Sequence, residues 1–264
     1  MLQNQSFETV SLQEELEATQ TELFVLESVN VLTEAEDAVA GEEQGSSKLK
    51  EYAQKAKEFF IKIAKAIAEA FKKFTAFFVE AFNKLQARTL NVKKYIAGVK
   101  SSAKLEEAKS YSLLAPSALK NLQELAKPDG NNFDRGFERA KSGVADEKNL
   151  ITETISTISD ASKAAQAAEG SVREVKAAAK VVDQTNKKAQ LIAKQGVEAA
   201  AKGDKEAITE KKRVAGNASK AHSLARTAVS KAVKLSNQTL ATAFTAAKAI
   251  NSAGKKEEKA AAEK

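Results

Sequence analysis

Apolar residues recur along most of this chain at helical rather than strand spacing, and the pattern divides it into four segments and a tail. In residues 1–47, Ser11 followed by Glu14 makes a capping-box pattern, after which Leu12, Leu16, Thr19, Leu23 and Leu26 alternate spacings of four and three. This predicts an acidic amphipathic helix. Behind it, residues 34–47 hold Gly41, Gly45, five acids and a Ser pair, the composition of an exposed, protease-accessible linker.

The second segment, 48–87, has the strongest pattern. On a wheel of about 100° per residue, Leu49, Tyr52, Phe59, Phe60, Ile63, Ile67, Phe71, Phe74, Phe77, Phe78, Phe82 and Leu85 share one continuous arc. Opposite them stand Glu51, Glu58, Glu69 and Glu80, with Lys55, Lys57, Lys62, Lys65, Lys72 and Lys73 towards the flanks. Two uses fit such an arc. It packs against other helices as core, or it lies in a membrane interface with Phe inserted and Lys snorkelling. The face in question is Phe59, Phe60, Ile63, Ile67, Phe71, Phe74, Phe78 and Phe82.

Further on, Ala115-Pro116 predicts a helix start and residues 127–132 a loop, leaving short connecting helices around 92–111 and 117–126. The fourth segment predicts one helix from about Asp146 to Ala201, a turn at Gly203-Asp204, and a second helix to about Ala253. Val214, Ala218, Ala221, Ala225, Ala228, Ala232, Leu235, Thr239, Thr242 and Ala246 form a four-three seam of mostly small residues. Such a seam permits close approach but buries little area. Gly170, Gly196 and Gly216 are expected to weaken it further.

Together these elements predict an elongated all-α protein. Its parts are an acidic leader and linker (1–47), a basic amphipathic helix (48–99), short helices and a loop (100–142), an Ala-rich antiparallel hairpin (144–253) and a disordered tail (254–264).

Charge changes the picture. Residues 1–47 carry eleven acids and no Lys or Arg, so a chain of net charge +7 leaves +18 on residues 48–264. Asymmetry of this kind concerns partners rather than fold. An acidic leader on a cationic body reads as a masking, removable segment, and the body as a surface for non-specific electrostatic contact with DNA. The phosphate-contact candidates are Lys55, Lys62, Lys65, Lys72 and Lys73.

Candidate chemistry is sparse. The chain has no Cys, and its single histidine, His222, lies amid Ser and Ala as a seam or surface residue. No P-loop, dinucleotide fingerprint, nucleophile elbow or His-Glu-x-x-His pattern occurs, so neither catalysis nor a cofactor is expected. The start of the chain lacks a basic region followed by an apolar one, and no apolar run is long enough for a transmembrane span.

Acidic leader, exposed linker and cationic helical body together resemble the internal head proteins of large tailed phages of the jumbo-myovirus type. In that family a precursor enters the prohead core, a viral prohead protease cuts after Glu, and the mature protein shares the capsid interior with DNA or is ejected with it. The cut motifs are Leu or Ile, any residue, Glu; and a small residue, any residue, Glu. Leu32-Thr33-Glu34 matches the first, as does Leu12-Gln13-Glu14, and Ala40-Gly41-Glu42 matches the second. The resemblance therefore implies Glu34 and Glu42 as cleavage sites, with DNA, prohead or capsid proteins and the protease as partners. Two other functions fit the pattern: a lipid-surface coat resembling apolipoproteins or phasins, and a coiled-coil spacer.

Overall fold

A computed structural model describes residues 46–262, so the leader helix and the motifs ending in Glu34 and Glu42 lie outside the described residues. The elements run α1 (Ser46–Ala97), β1 (Lys109–Leu114), α2 (Pro116–Asn121), a 3-10 turn (Leu122–Ala126), α3 (Phe133–Ala145), a second 3-10 turn (Glu147–Asn149), β2 (Leu150–Ile155), α4 (Ile158–Lys202) and α5 (Lys205–Ala262). The fold class is all-α. A single two-stranded ribbon interrupts it.

Three long helices carry the architecture, and three successive clusters define their directions. Tyr52, Phe59, Phe60, Ile63 and Ile67 of α1 meet Ala189, Ile192 and Ala193 of α4 and Ile208, Val214 and Ala218 of α5. Phe74 and Ala81 meet Val175 and Val181, then Ala225, Ala228 and Val229, together with Leu119, Leu122, Leu125 and Phe133 from the short helices and turn. Leu85, Val92 and Ile96 meet Ala161, Ala165 and Ala168, then Leu240, Ala243 and Ala247, with Tyr111, Leu113 and Ile155 of the ribbon. Residue numbers rise along α1 as they fall along α4 and rise along α5, so α1 is antiparallel to the first and parallel to the second.

The division of labour follows from side-chain size. Eight of the ten seam positions on α5 are buried, with Leu235 and Thr242 partly exposed. Alanine there brings α4 and α5 together at little gain in buried area, and the rings of α1 fill the groove that results. Gly196 marks the closest approach: a Cβ there would lie 2.5 Å from three ring atoms of Phe60. Its helical cost is thus exchanged for room.

Helix ends obey local chemistry. Ala115 and Pro116 open α2, and Gly203 closes α4 at φ 66°, donating its N–H to the carbonyls of Ala199 and Ala200. Asp204 then accepts from the Ala207 N–H at 3.0 Å to start α5.

Four boundaries differ from expectation. Helix α1 runs on to Ala97, so the helix expected over 92–111 is absent and residues 109–114 are a strand. The helix expected from Asp146 begins instead at Ile158, because Thr157 and Asp160 form a capping box and residues 150–155 pair with β1. Helix α3 occupies residues counted among the connections. Finally, α5 continues to Ala262 instead of giving way to a disordered tail at 254. Gly254 is buried against Ser101, where a Cβ would lie 2.7 Å from the serine Cβ, so the loop after α1 packs on that end of the helix.

The ribbon is antiparallel, with Lys109 opposite Ile155 and Leu114 opposite Leu150. Tyr111 donates to Glu153 at 2.6 Å, and Ser112 and Thr152 share a bond of 3.0 Å. The Thr239 hydroxyl donates to the Ser112 carbonyl at 3.2 Å, tying the ribbon to α5.

Candidate functional site

Helix α1 carries nearly every residue singled out by the sequence, and the structure assigns its faces. Phe59, Phe60, Ile63, Ile67 and Phe74 are buried, while Phe71, Phe78 and Phe82 are half-buried at the edge of the same core. Rings pack in series: Phe59 on Phe60 at 5.1 Å, Phe74 on Phe78 at 5.8 Å and Phe78 on Phe82 at 5.3 Å between centroids. Of the two uses open to the arc, this bundle takes core packing. Fully burying one such side chain is worth about 1.5–3 kcal/mol, a gain the Ala seam does not provide.

The cations of α1 face outwards. Lys55, Lys62, Lys65, Lys72 and Lys73 are all exposed, and Lys55 lies 2.9 Å from Glu51 one turn away. They do not converge on a pocket. At about 100° per residue, Lys55, Lys62 and Lys73 form one row and Lys65 and Lys72 another, with Glu51, Glu58 and Glu69 between them. Spread charge of this kind attracts a polyanion without reading its sequence.

A third face had no prediction. Ile61, Val79 and Leu90 are exposed, the last two by 52% and 66%, and together with Leu49 they make α1 the bearer of four of the six exposed large apolar side chains among the described residues. They lie outside the Phe arc. Spacings of eighteen and eleven residues, near five and three helical turns, were the available signal.

On α5 the interior is partly polar. His222 is 1% exposed, its ring 6.4 Å from that of Phe71, and no described group bonds to its Nε2. Burial, reinforced by the neighbouring Arg226 guanidinium, lowers its pKa to about 3, so the ring is neutral at pH 7. Other polar residues of α5 hold the small elements in place. Asn217 donates to the Pro128 carbonyl at 3.0 Å and Lys231 to the Val144 carbonyl at 2.6 Å. Lys93 of α1 pairs with Glu169 of α4 at 2.8 Å, and this bond holds the Glu169 carboxyl below its usual range. An open groove of about 280 Å³ lies beside that pair, lined by Gln86, Thr89, Leu90, Glu169, Val172 and Arg173. Its walls offer one carboxylate and one guanidinium, with no nucleophile and base in reach of each other.

No helix among the described residues is long and apolar enough to cross a membrane. Comparison with protein-family models, with curated proteins and with solved structures gives no match.

Proposed function

We propose that this is a non-enzymatic virion protein, made as a precursor with a cleavable acidic leader and packed with DNA inside a phage head. The observation that carries the reading is a coincidence of boundaries. Charge changes sign after Ser47, α1 begins at Ser46, and the motif ending in Glu42 lies just before both. Cutting after Glu42 removes ten of the eleven leader acids and leaves a body of net charge +17, the +18 of residues 48–264 less Glu43. Cutting there also spares α1, whose rings fill the core, so the released body keeps its fold.

The function follows from that charge. A helical bundle with dispersed Lys neutralises phosphates and releases counterions, without an element that enters a groove to read bases. Such a protein binds packaged DNA in any sequence and leaves it as salt rises. In filter or fluorescence binding, residues 43–264 are expected to bind unrelated duplexes equally, with affinity falling steeply and log-linearly in salt. The full chain is expected to bind more weakly because its leader repels phosphate. Equal affinity for both forms, or binding indifferent to salt, contradicts the proposal.

A further inference from the structure

We infer that the acidic leader docks in cis along the outer apolar stripe of α1, with residues 11–26 lying between Ile61 and Val79. Ile61, Val79 and Leu90 form a row that no described residue covers, with half-buried Ala64, Ala68 and Phe82 along its inner margin. Exposed Lys65 and Lys72 stand beside the row. The stripe is therefore apolar with a cationic border.

The leader offers the complement. Leu12, Leu16, Leu23 and Leu26 share one side of a helical wheel, and Glu15 and Glu22 border that side at about 100° per residue. All eleven charges of the leader are negative, while residues 48–88 carry a net +6. Opposite charges along an apolar seam fix partner and register.

Lengths agree as well. At 1.5 Å per residue, sixteen leader residues span about 24 Å and the stretch from Ile61 to Val79 about 27 Å. Ile61 lies about 22 Å along α1 from Ser46. Residues 27–45 reach up to roughly 60 Å when extended, so the tether turns back with slack. Because the tether is intramolecular, its effective concentration favours this occupant over a free one.

This extends the precursor reading and fails separately from it, since a leader that is cut without ever docking overturns only the contact. The absence of native Cys makes thiol labelling clean. Ile61→Cys and Val79→Cys, each in the full chain, are labelled with a maleimide, with Lys62→Cys as a control of equal tether length on another face. Each is then repeated with Leu16→Glu and Leu23→Glu in the leader, which leave the body intact. Docking predicts that the leader substitutions speed labelling at positions 61 and 79 several-fold and leave position 62 unchanged. It also predicts rates independent of protein concentration. Equal rates with both leaders overturn the inference, and protection that fades on dilution assigns the stripe to a second copy and overturns it too.

Discussion

His222 shows how a residue that sequence alone leaves bland acquires a consequence once its surroundings are known. Buried beside Arg226 and under Phe71, it stays neutral when folded, whereas an unfolded chain protonates it at its ordinary pKa of 6.5. Between about pH 6.5 and about pH 3 the unfolded state therefore binds more protons, and the stability present above that window is lost as pH falls through it. The slope is at most about 1.4 kcal/mol per pH unit from this one group. Denaturant unfolding of the parent and of the His222→Gln variant isolates it from the carboxylates, because both chains share those. The parent should lose stability faster on acidification, and parallel curves would remove His222 from the acid response. Seam placement was legible from the four-three spacing around the residue. Complete burial was not, because it depends on α1 covering α5, and no local pattern encodes that.

At the scale of elements, the interface between α1 and α4 turns on Gly196. Adding a methyl there drives it to 2.5 Å from the Phe60 ring, whereas Gly170 is exposed with nothing within 4 Å of the added atom. The same substitution should therefore have opposite signs. Gly170→Ala gains up to about 1 kcal/mol of helix propensity. Gly196→Ala recovers that gain but pushes apart two packed helices at about 1–3 kcal/mol, a net loss of about 1–2 kcal/mol. Thermal unfolding of the two variants decides it, and a stabilised Gly196→Ala would mean that Phe60 moves aside freely. The long helices were legible because their apolar period persists for many turns. The ribbon was missed for a physical reason. Four consecutive positions of β2 are exposed, so no alternation betrays the strand, and only the β-branched Ile151, Thr152, Thr154 and Ile155 hinted at it.

Over the whole molecule, two unlike helical systems are combined. An Ala-rich hairpin supplies length and close approach, and one aromatic helix supplies the buried area that the hairpin lacks. The outer surface is left to lysine, and charge of opposite sign is confined to the leader. That confinement was fully visible in the sequence, as were Glu34 and Glu42. What the sequence left open was whether the Phe arc serves lipid or core, since the arc itself is the same in both; the bundle decides it by placing α4 and α5 against the rings. The account's central claim is that the leader belongs to a precursor and the cationic body to the mature particle. Intact mass and N-terminal sequencing of the protein recovered from its natural source test this most directly. The account predicts a mature chain beginning at Ala35 or Glu43, immediately after Glu34 or Glu42; a mature particle that retains residues 1–42 would contradict it.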